Sequence, residues 1–154
     1  MSDRGFSFRR SIPFLLVCLL VGGCSGSKEK KYKVTGKLTS GGKALKANTS
    51  GAPPAAGAAG TGIQLIFYPL PDGNRPVDPI KAGVVGVYAT VAEDGEYQVP
   101  DKLAPGRYVI AVHIRPHGPL GPDELKERFS FKNSKIVEEI SEDRTLDIEL
   151  ERYK

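Results

Sequence analysis

Four groups of residues in this chain are of types that carry chemistry. Cys24 is a thiol preceded by Arg4, Arg9 and Arg10, an apolar run over residues 12–21, and Gly22-Gly23. The stretch His113-Ile114-Arg115-Pro116-His117 holds both histidines of the 154-residue chain. Asp72-Gly73-Asn74 has the composition of a calcium-binding turn, and Ser130 and Ser134 are hydroxyls that a neighbouring base would activate. Those types correspond in turn to thiol acylation, transition-metal ligation, calcium binding and nucleophilic catalysis.

Three of the four fail on spacing. In a strand His113 and His117 share a face but lie ~13 Å apart at ~3.3 Å per residue. No cysteine or acid stands beside them in sequence to complete a ligand set, so they read as one surface and one loop histidine. Asp72-Gly73-Asn74 lacks both the alternating acids and the distal glutamate of a calcium loop, and reads as a turn. Ser130 and Ser134 have no histidine near them in sequence. The acids Glu138, Glu139, Glu142, Asp143, Asp147, Glu149 and Glu151 fit the solvated faces of two late strands. The expectation is therefore no catalytic residue, no cofactor and no metal, with Cys24 as the single modified site.

Cys24 stands where a leader ends. Ten apolar residues are about half of the roughly 20 that a helix needs to cross a bilayer. Pro13 near the start and Gly22-Gly23 at the end keep that helix short and leave extended chain for a protease. Val21-Gly22-Gly23-Cys24 resembles the lipobox of bacterial lipoproteins, with Val where Leu is commoner. The resemblance implies a diacylglyceryl thioether on Cys24, cleavage after Gly23 and acylation of the new amino terminus. Cys18 follows Leu16-Val17, lacks the small residues, and reads as filler of the apolar run. Ser25, where an Asp would retain a lipoprotein at the inner membrane, points to an outer membrane, facing the periplasm or the exterior.

Cleavage changes the composition that matters. Of 22 basic and 18 acidic side chains, the leader holds three arginines and Asp3, leaving 19 and 17, a net charge of +2 instead of +4. That balance makes no case for nucleic acid. Cys24 is then the sole cysteine, so the fold rests on core burial without an intrachain disulfide. Residues 1–23 are expected to be the signal peptide, 24–31 a lipidated flexible tether, and 32–154 one monomeric domain. Within it the low-complexity stretch 48–62 (NTSGAPPAAGAAGTG from 48) is a loop.

The remainder alternates at period two. Strands are expected over residues 32–38, with Ile63, Leu65 and Phe67 on one face of the next, and at Val85, Val87, Ala89 and Val91. Glu93-Asp94-Gly95 is a hairpin turn into residues 96–99. Tyr108, Ile110, Val112 and Ile114 line one face of a further strand, followed by 136–140 and a last strand over 145–151. Only 123–129 has helical character, for a turn or two. About seven short strands predict an all-β, antiparallel sandwich. Two proline-rich loops, 69–79 and 115–122, are the binding candidates on such a scaffold, with Arg75, Lys81, Arg115 and His117 as a cationic rim.

The motif order resembles that of carboxypeptidase regulatory-like domains. Val34-Thr35-Gly36-Lys37-Leu38, Gly42-Lys43-Ala44-Leu45 and Ile63-Gln64-Leu65-Ile66-Phe67 follow its opening, with Ala44 in place of the usual Pro. Thr90, Asp94-Gly95-Glu96-Tyr97 and Leu103-Ala104-Pro105-Gly106-Arg107-Tyr108 follow its middle. With the leader, the chain resembles small lipoproteins of planctomycete type. The resemblance implies a transthyretin-like sandwich, a tyrosine corner at Tyr108, and a non-enzymatic structural or protein-interaction role at the membrane. Glycan or peptide binding through the proline-rich loops is the alternative. Transthyretin-like hydrolases end in a different tail and use earlier histidines. An adhesin-type Lys–Asn cross-link lacks its asparagine in residues 145–151.

Overall fold

The computed structural model describes residues 30–46, 62–71, 73–116 and 121–154. Cys24 and the leader, most of 48–62, Asp72 and His117 lie outside the described residues. Among the described residues nine strands form: β1 (Val34–Ser40), β2 (Lys43–Ala44), β3 (Ile63–Pro69), β4 (Val87–Thr90), β5 (Glu96–Gln98), β6 (Gly106–Ile114), β7 (Val137–Ile140), β8 (Arg144–Thr145) and β9 (Ile148–Glu149). One turn of 3₁₀ helix, Leu150–Tyr153, follows. The four-stranded sheet, the larger in residues, runs β4-β3-β6-β7, antiparallel throughout. The smaller in residues has five short strands centred on β1, with β2 and β5 antiparallel to it and β8 and β9 parallel. The two sheets make the all-β sandwich that the alternation predicts.

Their inner faces share one core. Ile63, Leu65 and Phe67 of β3 and Tyr108, Ile110, Val112 and Ile114 of β6 meet Val34 and Leu38 of β1, Tyr97, Leu146 and Ile148. Burying such apolar faces is the main driving force for a domain without disulfides. The Asp94-Gly95 turn forms as expected: Ala92 N donates to Glu96 O at 2.8 Å and Glu96 N to Asp94 Oδ1 at 2.9 Å. The Tyr108 hydroxyl donates to Ala104 O at 2.8 Å, closing the tyrosine corner.

Four local expectations change. Val85 lies outside β4 and is 77% exposed, while the next residue, Gly86, packs against Ile66 and Tyr68 where a side chain would clash. Residues 123–129 form a chain of tight turns without a helix, since Lys126 and Glu127 sit at φ +51° and +59°. The outward face of β6 is also covered: Val109 joins Leu70 and Phe131 in a second apolar cluster. Arg75 fastens that cover, donating to Lys132 O at 2.8 Å and Ser134 O at 2.6 Å, with its guanidinium 5.8 Å from the centre of the Phe131 ring. The last strand, finally, is split into β8 and β9 and runs parallel to β1.

That parallel seam gives the late acids a structural task. Asp143 Oδ1 accepts Lys33 N at 2.7 Å and Asp147 Oδ1 accepts Lys37 N at 2.9 Å. Glu149 accepts Gly41 N at 2.8 Å, Gly42 N at 2.9 Å and the Thr39 hydroxyl at 2.8 Å. Gly41 and Gly42, at φ +62° and +73°, form the turn between β1 and β2 in a conformation that suits glycine. These acids are thus clamps on β1, where the sequence alone places them on solvated faces. Donation from Gly42 N, with help from Thr39, Glu151 and Gly41, holds the Glu149 carboxyl at about 2, below its ordinary 4.5. A depressed folded value means stability present above about pH 4.5 and lost as pH falls toward 2. We expect the chain to lose urea resistance across that window and Glu149→Gln to show a flatter profile; identical profiles would remove Glu149 from the seam.

Candidate functional site

The outward face of the smaller sheet carries an open groove of about 720 Å³. Thr35 and Lys37 of β1, Glu96 and Gln98 of β5, Thr145 of β8 and Asp147 form its floor and walls, and Tyr88 and Thr90 of β4 form its rim. Period two puts Thr35 and Lys37 on this face because Val34 and Leu38 point into the core. Lys37 Nζ lies 3.4 Å from Glu96 Oε1, a partly screened pair on the groove surface. Tyr97 reaches the groove from the core side and donates to Leu146 O at 2.5 Å. Burial, reinforced by Asp147, pushes its phenol well above the ordinary value, so it stays a neutral donor. Tyr88 is 55% exposed and offers an aromatic face next to several hydroxyls. The set suits reversible binding of a polar chain.

A second cluster lies at the far end of β6. His113 is on the outward face of that strand, yet it is buried (7% exposed), correcting its reading as a surface histidine. The segment that covers it supplies Asp123, whose side chain is 1% exposed. Asp123 Oδ1 accepts Ile114 N at 2.9 Å and Leu125 N at 3.2 Å, and Oδ2 accepts Glu127 N at 3.1 Å. Oδ2 is also 3.4 Å from His113 Nδ1, a nitrogen without a hydrogen-bond partner among the described residues. Glu127 stands at the mouth, with Oε1 3.4 Å from Arg115 Nη2. Sequence reasoning looked for acids beside the histidine and missed Asp123. The available signal was an Asp after Gly121-Pro122, a turn that returns the chain onto the strand it has just left.

The other residues read from sequence are dispersed. Ser134 is 1% exposed and structural: its Oγ donates to Ile110 O at 2.6 Å and accepts Ile136 N at 3.2 Å. Register pairs Pro69 with Tyr108 and Ile63 with Ile114, so the proline-rich loops leave opposite ends of the β3–β6 ladder. Arg75 and Arg115, engaged at separate places, do not make one cationic rim.

No protein-family model matches the chain, and no curated protein matches it. Among solved structures, it is similar to a DUF3823 family protein of Parabacteroides merdae ATCC 43184. The identity is 17% and the TM-score 0.39, over 77% of this chain and 45% of that one. The chain therefore spans less than half the length of that protein.

Proposed function

We propose that this protein is lipid-anchored in a bacterial cell envelope through Cys24 and that its sandwich is a non-enzymatic protein-interaction module of the carboxypeptidase regulatory-like, transthyretin-like kind. The groove on the smaller sheet carries the reading. It gathers Thr35, Thr90, Thr145 and Gln98 around an exposed Tyr88, a surface able to hold a polar segment of a partner by hydrogen bonds and ring contact. The tyrosine corner at Tyr108 supports the family resemblance, because it is the bond that the Leu103-to-Tyr108 motif anticipates. The alternative, glycan or peptide binding by the proline-rich loops, loses support from the opposite placement of those loops.

In this reading the acyl chains supply attachment and the tether supplies reach, leaving the groove available to neighbours in the envelope. Two or three chains at ~0.8 kcal/mol per buried methylene hold a protein stably, where one does not. Two measurements test it. Intact mass of the membrane fraction is expected to give a chain starting at an acylated Cys24; an unmodified chain starting upstream, or a soluble product with a free thiol, overturns the anchor. A photo-crosslinking residue at Tyr88 is expected to trap a discrete adduct in intact cells that the same residue at Lys102 does not. Identical patterns at the two positions overturn the groove.

A further inference from the structure

We propose that His113, Asp123 and Glu127 form a binding site for a divalent transition-metal cation of the zinc class. One ligand atom from each residue lies within 4.8 Å of the other two. The set is one imidazole nitrogen and two carboxylates. Imidazole suits zinc and its neighbours in the transition series, whereas calcium and magnesium take oxygen ligands.

Geometry favours the same ion. Zinc bonds of ~2.1 Å to nitrogen and oxygen on a tetrahedron place neighbouring ligand atoms about 3.4 Å apart. His113 Nδ1 and Asp123 Oδ2 are 3.4 Å apart. The nitrogen is buried and, among the described residues, has no hydrogen-bond partner. An imidazole nitrogen in that position has lost water without a hydrogen bond in return; a cation between it and Asp123 uses its lone pair.

The surroundings fix the ligands. Backbone amides of Ile114, Leu125 and Glu127 orient the Asp123 carboxylate, the role that outer-shell donors play in metal sites. The Asn133 side-chain amide donates to Glu127 O at 2.8 Å and holds the turn that carries the third ligand. Glu127, with its side chain 55% exposed, is the flexible member and the point of entry, leaving room for water as a further ligand. Arg115 faces it and balances part of the carboxylate charge, so binding exchanges an exposed ion pair for a metal bond. The site stands apart from the groove and is independent of the lipid anchor.

The test uses the untagged full chain in detergent, with Cys18→Ser and Cys24→Ser removing thiol ligands. After chelator treatment and dialysis, zinc is titrated calorimetrically and by thermal shift. One zinc per chain and a raised Tm are expected, with Glu127→Gln weakening binding about tenfold or more and His113→Gln abolishing it. Because His113 is buried, the exposed Glu127 variant decides the matter if His113→Gln fails to fold. Zinc binding equal in Glu127→Gln and its parent, or no saturable binding in the parent, overturns the site. Calcium or magnesium giving the same shift as zinc overturns the class of ion.

Discussion

Gly36→Ala is expected to destabilise the domain by about 3–5 kcal/mol, above the usual 1–3 kcal/mol of overpacking, because the obstacle is backbone. A Cβ built on Gly36 falls 1.9 Å from Leu146 O and 2.5 Å from its carbonyl carbon. That carbonyl has little freedom to retreat. The Tyr97 hydroxyl holds its oxygen, Leu146 N donates to Thr35 O at 2.7 Å, and the Leu146 side chain is buried in the core. Relief requires moving the C-terminal segment away from β1, which breaks the β8 and β9 pairings and separates Asp147 from Lys37 N. Against a typical total of 5–15 kcal/mol, such a loss removes much of the stability. Urea denaturation followed by far-ultraviolet circular dichroism measures it, and a midpoint equal to the parent's sinks the argument. Combining Gly36→Ala with Tyr97→Phe should cost less than the sum of the two, since both act on one carbonyl.

The second large effect is expected at Phe67, where truncation to alanine should cost about 3–5 kcal/mol. Phe67 is fully buried in β3, opposite Ile110 of β6 and Val87 of β4, and its ring centre is 6.3 Å from that of Tyr97 on the other sheet. It therefore joins the two layers. Ile80→Ala is the matched control, an apolar truncation at a residue 87% exposed, expected to change stability by no more than about 0.5 kcal/mol. Similar losses at the two positions would contradict the placement of the core.

Much of the sandwich is legible before any coordinates. Residues 63, 65 and 67 and residues 108, 110, 112 and 114 alternate because a strand exposes successive side chains to opposite faces. The Asp94-Gly95 turn and the Tyr108 corner are local chemistry and survive in the structure unchanged. The direction of the last strand was not legible, since Leu146, Ile148 and Leu150 alternate identically whether they pair parallel or antiparallel with β1. Nor was the cover over β6. Phe131 sits among turns, and its docking onto Val109 depends on tertiary contact that no period records. The His113–Asp123 pair was hidden for that reason: ten positions of sequence separate two groups 3.4 Å apart.

The parallel seam also sets an order of events during synthesis. Contacts such as Lys33 N to Asp143 and Lys37 N to Asp147 join residues 110 positions apart. The loop between them must close before those bonds return any free energy, and contacts of that range slow folding. While residues 143–149 are still inside the ribosome, β1 has one unpaired edge and the small sheet stays open. The larger sheet, whose β3 and β4 are close in sequence, can assemble first. The β1 layer is thus the late-forming half of the sandwich, completed only once residues 143–149 are free to pair with it.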